Sequence, residues 1–518
     1  MHIKILVTSD IHAHIFPTRY RSRDDQAGLG LAKAATLIKR IQHKAKEDTI
    51  VLTIDNGDLI QGSSLAAYLK ENYTEGIMPL FEVTNLLQYD AGVIGNHEFD
   101  YGRKFLNKAL CACHYPILCA NILDEKNHSY GKPYIVIEKK GMKIAVLGLT
   151  TQNIPYWEPE ENIKGLHFVS ALEMAQKYVP FLKHIADIVV IAYHGGYGEK
   201  RIKGSIQEQK SRTKENEGAA LSKIKGVDAL ITGHQHRRIA TSINGIPTIQ
   251  PGHNGECVGE IDLETTHKIV KSGYSKLLAV AQEVPDTEVS RFLGAFEKKT
   301  QKWLDKPIAK LGDGFQMTDP NMARRKGHPF INLLNQVQLQ ATGAEISAVS
   351  LFNNEVTGFS TEVTIRDIKI NYPFENKLVV LQVTGAQLRA ALEQNATYWK
   401  LYNDHAIVNQ CTFGPAIPYY NYDIYAGVDY TLDISYPVGR RVRSLSYHGR
   451  PVENKQVFRL AVSQYRALGG GSFKMYSPKQ IIAEHSTTIP KLVIEYLRAN
   501  EDLTPDKLKH NNYRILPE

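Results

Sequence analysis

Five short stretches combine carboxylates, amides and imidazoles at spacings that could hold metal ions or move protons. They are Asp10-Ile11-His12, Asp55-Asn56-Gly57-Asp58, Gly95-Asn96-His97-Glu98-Phe99-Asp100, His194-Gly195-Gly196 and Gly233-His234-Gln235-His236. The third is the densest: it sets an amide beside an imidazole, with Asp100 three positions on to orient the ring. Such an Asn-His pair can serve as a metal ligand and a phosphate-facing acid. Glu98 and Phe99 read as spacing and packing within it. A lone Asp-x-His or His-x-His is more often an incidental turn than a ligand pair. Five stretches of matching chemistry are a different matter, and their mixture of donors suits divalent manganese, zinc or iron.

The stretches follow the apolar runs 3–7, 50–54, 91–94, 188–192 and 229–232, which read as strands. Helical-period segments alternate with them up to about residue 265, the pattern of a layered α/β domain. Loops at the carboxyl ends of strands in such a fold converge on one edge, where ligands bind.

In this order, Asp10-Ile11-His12, Gly57-Asp58, Gly95 through Asp100, His194-Gly195-Gly196 and Gly233 through His236 resemble the calcineurin-like metallophosphoesterase blocks of the 5'-nucleotidase family. The third block matches the family's form residue for residue. The resemblance implies a fold class: an α/β calcineurin-like domain, a four-layer αββα sandwich, followed by an α+β 5'-nucleotidase C-terminal domain. It implies two divalent ions. Asp10, His12, Asp58 and His236 would hold one, and Asp58, Asn96, His194 and His234 the other, with Asp58 as the bridge. His97 and Asp100 match the family's catalytic pair, whereas His14 and His253 match no ligand position and are expected at the surface or behind the ligands.

A chain of 518 residues is long for one core. We expect a phosphoesterase domain over 1–275, a connecting helix over 276–306 and a nucleotide-binding domain over 307–518. Val289, Phe292, Leu293 and Phe296 lie at helical spacing, and Pro307 stops the pattern. Strands are expected at 346–351, 378–383, 430–435, 441–447 and 458–463, and a helix at 385–394.

This half resembles the family's C-terminal domain, which binds the nucleoside. Tyr372-Pro373-Phe374-Glu375-Asn376 and Gln464 through Gly471 resemble the blocks whose aromatic rings clamp the base, which makes Phe374 and Tyr465 the candidates. Asn376 and Asn353 are candidate hydrogen-bond partners of base or ribose. The glycine run lacks the Lys-Ser or Lys-Thr of a P-loop. Many 5'-nucleotidases carry a glycine-rich block ending in arginine where this chain has Ser350-Leu351-Phe352-Asn353-Asn354-Glu355. Tyr420-Asn421-Tyr422-Asp423 and the Tyr465-Arg466-Ala467 variant instead resemble the branch acting as 2',3'-cyclic-nucleotide 2'-phosphodiesterase and 3'-nucleotidase.

The function expected is two-metal hydrolysis of 2',3'-cyclic nucleotides and 3'-nucleotides to nucleoside and phosphate by metal-activated water. A 5'-nucleotidase or nucleotide-sugar hydrolase is the alternative. A non-catalytic nucleotide sensor would need a degenerate site, and no ligand position is replaced. Hydrophobic residues at 43% and charged residues at 22% exclude a disordered or fibrous class. The net charge of 62 − 54 = +8 is spread along the chain, which favours a small anionic substrate over a nucleic acid polymer. No segment has the length of a membrane span. Five cysteines without C-x-x-C spacing suggest neither a disulfide framework nor a cysteine zinc site. Residues 1–7 read as a first strand rather than a signal peptide, so the cytoplasm is expected unless a leader has been removed. No motif bears on oligomeric state.

Overall fold

The computed structural model describes residues 1–202, 205–208, 215–373, 376–410, 417, 419–508 and 513–517. They form two compact units, Met1–Gln301 and Lys302–Glu518.

The first unit contains two six-stranded sheets. In one, His2–Thr8, Thr49–Asp55, Ala91–Val93 and Ile117–Leu118 run parallel, with Cys257–Thr266 and Ile269–Ala279 closing the edge antiparallel. In the other, Met142–Thr150, Ile188–His194, Ala229–Ile231 and Ile246–Pro251 run parallel between antiparallel edge strands. Alternate residues decide what faces what. Ile3, Ile5, Val7, Leu52 and Ile54 of the first sheet share one core with Ile144, Val146, Val190 and Ala192 of the second. Ala145, Leu147, Val189 and Ile191 point the other way, onto Ala175, Val179 and Leu182 of the helix Ala171–Ile185. Across the first sheet, the helix Leu31–His43 packs against Cys257–Thr266. The result is the expected αββα layering.

Register aligns the functional ends. Thr8 pairs with Asp55 across the first sheet, and Thr150 with His194 across the second. Each parallel strand therefore releases its polar loop on the same edge.

The connecting helix expected over 276–306 is shorter, Thr287–Leu304, because the chain up to Ala279 belongs to the strand Ile269–Ala279 paired with Cys257–Thr266; the helix buries Val289, Leu293, Trp303 and Leu304. Phe292, placed on the apolar stripe by spacing, is instead 42% exposed, while Phe296 meets Tyr73 edge-on. The boundary between the two units falls within the last turn of this helix.

The second unit has a five-stranded sheet in the order Asp423–Ala426, Ile346–Ser350, Val457–Ser463, Lys377–Thr384 and Ile481–Thr488, and a four-stranded sheet holding Val442–Tyr447, Asp429–Asp433 and Tyr513–Leu516. The helix Gly385–Ala396 starts from a capping box in which Thr384 and Gln387 satisfy each other's backbone N–H groups. Leu381, Leu388, Phe458 and Leu460 lie in one continuous core. Among the described residues, no helix is long and apolar enough to cross a membrane.

Candidate bimetal centre

The strand ends bring all seven predicted ligands together. Asp10, His12, Asp58, Asn96 and His194 are buried, whereas the His236 side chain is 43% exposed. Donor atoms of Asp10, His12 and His236 lie within 4.8 Å of one another, as do those of Asp58, His194 and His234. Asp58 also groups with His12 and His97, so it stands in two clusters. Within the first, His12 Nε2 is 2.8 Å from His236 Nε2, and His236 Nε2 is 3.7 Å from Asp10 Oδ1. Within the second, Asn96 Oδ1 is 3.2 Å from His194 Nε2 and 2.8 Å from His234 Nδ1, and His194 Nε2 is 3.1 Å from Asp58 Oδ2.

Backbone conformation aims these groups. Asp10, His12, Asp58, His234 and His236 all have left-handed φ, between 50° and 66°, a conformation that costs a non-glycine residue about 1 kcal/mol or more. Hydrogen bonds between the loops hold them there. Asp10 N donates to Gly57 O, His12 N to Asp58 O, and His234 N to Asp10 Oδ1, each at 2.9 Å. A Cβ on Gly95 would collide with Asp58 Oδ1, so that position has no room for a side chain.

Glu98 does more than space the motif. Its carboxylate accepts from Asp58 N at 2.9 Å, Leu59 N at 2.8 Å and Gly95 N at 2.7 Å, bracing the Asp58 loop from beneath. Phe99 packs with Ile94, Leu106 and Ile154, as expected.

His97 donates its backbone N–H to Asp58 Oδ1 at 2.8 Å, and its ring Nδ1 lies 3.1 Å from Asp100 Oδ2. Burial disfavours the imidazolium, yet the Asp58 and Asp100 carboxylates outweigh it and push His97 up to about 10. His194 follows the same balance: burial opposes the cation, and Asp58 lifts the ring to about 10. Burial likewise opposes Asp58 ionisation, but His194 and His97 hold its carboxyl well below the usual range. On the other side, burial and the nearby His253 push His236 down to about 3. His253 stacks on His236 at 4.7 Å, and His14 Nδ1 is 3.1 Å from His12 O, so both lie beside predicted ligands.

Three neighbours escaped sequence reasoning because none sits in a strand-end motif. Trp157 lies 5.3 Å from the His234 ring. Burial, then the Asp100 charge, push Glu158 up to about 8. Glu215 Oε1 is 3.1 Å from His234 Nε2.

In the second unit, the motifs at 420–423 and 464–471 meet. Asp423 and Arg466 form a buried ion pair, with Oδ2 to Nε at 2.6 Å and Oδ1 to Nη2 at 2.9 Å. Arg466 Nη2 also donates to Tyr420 O at 2.9 Å, and its guanidinium lies 3.9 Å from the Phe473 ring centroid. While Arg466 points inward, Tyr465 is 42% exposed and Tyr420 41%, their rings 6.1 Å apart and edge-on. Asn353 spends its side-chain oxygen on Glu355 N at 2.7 Å, and its carbonyl accepts from the buried Arg324. Asn376 O accepts from Ile489 N at 2.9 Å. Phe374 lies outside the described residues.

Residues 3–238 match the calcineurin-like phosphoesterase family and residues 307–478 the 5'-nucleotidase C-terminal domain. A candidate 5'-nucleotidase from Staphylococcus aureus, of known crystal structure, is 35% identical with a TM-score of 0.89, the match covering 99% of this chain and 100% of that one. The chain belongs to the 5'-nucleotidase family of calcineurin-like phosphoesterases. Among relatives in this family, a Salmonella typhimurium 2',3'-cyclic-nucleotide 2'-phosphodiesterase/3'-nucleotidase is 28% identical over 90% of this chain and 81% of its own length. A Bacillus subtilis trifunctional nucleotide phosphoesterase is 26% identical over the whole chain, which spans only 39% of that protein.

Membership of this phosphoesterase family implies divalent metal ions, and the donor set fits them. Imidazole nitrogens facing each other at 2.8 Å, beside carboxylate and amide oxygens, make a cage for a cation of borderline hardness. The cage depends on Glu98. A buried donor left without its acceptor costs about 1–3 kcal/mol, so Glu98→Ala, which strips three buried N–H groups of theirs, should cost the first unit at least ~3 kcal/mol in chemical denaturation. A loss under ~0.5 kcal/mol would make Glu98 a spacer after all.

Proposed function

We propose that this chain is a two-metal phosphoric ester hydrolase acting on 2',3'-cyclic nucleotides and 3'-nucleotides, with nucleoside and phosphate as end products. The observation that carries the reaction class is the convergence of six donor residues around a seventh, the buried carboxylate of Asp58. In this reading Asp10, His12, Asp58 and His236 hold one ion, and Asp58, Asn96, His194 and His234 the other. When bound, two such ions would activate a water, bind phosphoryl oxygens and offset the charge of in-line displacement, chemistry open to manganese, zinc or iron.

The chain's own residues do the rest. Asp100 holds Nδ1 of His97, leaving Nε2 to donate to a phosphoryl or leaving oxygen. No side-chain nucleophile is required. In the second unit, the exposed Tyr465 ring is our candidate for stacking on the base, with Phe374 as its partner and Asn376 and Asn353 as polar contacts. Asn353 would act through its amide nitrogen, since its oxygen is already engaged.

The preference for cyclic and 3' substrates is supported by the Asp423–Arg466 pair, which ties the Tyr420 and Tyr465 blocks together, and by the Salmonella relative. The 5'-nucleotidase reading is favoured by the Staphylococcus aureus relative. Cytoplasmic residence is supported by Cys111, Cys113, Cys119 and Cys257, all free.

Steady-state kinetics with manganese on 2',3'-cyclic AMP, 3'-AMP and 5'-AMP decides between them. We expect kcat/KM at least ~10-fold higher for the first two, a difference of about 1.4 kcal/mol in transition-state stabilisation. A preference for 5'-AMP overturns the substrate while sparing the chemistry. His97→Ala should keep both ions by elemental analysis and lose ~10²–10⁴-fold in kcat. Loss of metal would instead make His97 a ligand, as its place beside His12 and Asp58 allows.

A further inference from the structure

In three of the four imidazoles, His12, His194 and His234, the nitrogen turned toward the centre is the one opposite a hydrogen-bonded ring nitrogen. His12 Nδ1 lies 2.8 Å from Gln61 O and His194 Nδ1 2.6 Å from Asn56 O, both backbone carbonyls, leaving Nε2 inward. His234 is the reverse: Nε2 lies 3.1 Å from the Glu215 carboxylate, and Nδ1 faces Asn96 Oδ1 at 2.8 Å. We propose that Glu215 is a positioning residue for His234, holding the proton on Nε2 so that the Nδ1 lone pair is presented to the divalent ion shared with Asp58, Asn96 and His194. This rests on the two-metal reading above.

Carboxylates behind metal-binding histidines fix the ring's tautomer and orientation and raise its basicity, and their removal commonly weakens metal binding ~10–100-fold. Glu215 is placed for that work. Its carbonyl accepts from Thr151 Oγ1 at 2.9 Å and from the Tyr193 hydroxyl at 3.0 Å, and the next side chain, Asn216, accepts from Gly196 N at 2.9 Å. Tyr193 and Gly196 flank His194, so the strand end that delivers one ligand also anchors the carboxylate that orients another. Glu215 is not itself a ligand, since it meets the ring nitrogen opposite the one that faces Asn96.

The test is calorimetric titration of Mn²⁺ into metal-free full-length wild type, Glu215→Ala and Glu215→Gln, each checked for an unchanged thermal midpoint. Wild type should take two ions. Glu215→Ala should bind one of them ~10–100-fold more weakly and the other within ~2-fold. Glu215→Gln, whose amide oxygen still accepts from Nε2–H, should recover most of the loss. If Glu215→Ala does not fold, Glu215→Asp, which withdraws the carboxylate by one methylene, carries the same expectation of a loss at one site. Unchanged affinities, equal weakening of both ions, or a Gln variant as impaired as Ala would overturn the proposal. A wild type that fails to bind two ions would overturn the bimetal reading instead, a result separable from the others.

Discussion

Asp58 leaves the first sheet and His194 ends a strand of the second, and their side chains meet at 3.1 Å where neither is exposed to water. That contact joins the polar edges of two sheets whose inner faces share an apolar core and are also linked by hydrogen bonds such as Ser275 Oγ to Thr248 O at 2.8 Å. A buried carboxylate persists in ionised form only when charge and hydrogen bonds compensate its lost hydration. Asp58 has both: His194 on one oxygen, and the His97 backbone N–H on the other. The ligand loops are organised around keeping this one charge in place.

Around it, the protein accepts local cost in exchange for direction. Five of the predicted ligands sit in the left-handed region, at about 1 kcal/mol or more each, and the loops that carry them exchange backbone hydrogen bonds rather than making their own secondary structure. Glu98 serves three N–H groups for the same reason: tight turns cannot pair their own donors. Loops tied together in this way hold their donors in fixed directions, which is what preorganised electrostatic catalysis requires. The imidazole shifts follow from the same concentration of negative charge, with Asp58 lifting both His97 and His194 against burial.

Much of this was legible in the sequence, for a reason of topology. Parallel strands deliver their carboxyl ends to one edge, so apolar runs ending in Asp10, Asp58, Asn96, His194 and His234 had to converge whatever their spacing. The work of Glu98 was not legible, because it depends on which N–H groups a loop some 40 residues away leaves open. Glu215 follows a polar stretch with no apolar run before it, and only the fold brings it to His234. In the second unit, strands and helices were readable from periodicity, but the joining of Tyr420 and Tyr465 through Asp423 and Arg466 is a contact over 43 residues that no local pattern encodes.

Whether Asp58 is shared by two ions can be seen in a crystal. Anomalous diffraction from crystals grown with manganese tests it most directly. Two peaks about 3.5–4 Å apart are expected, each within bonding distance of the Asp58 carboxylate, one beside Asp10 and His236 and the other beside Asn96 and His234. A single peak, or two of which only one touches Asp58, would contradict such sharing.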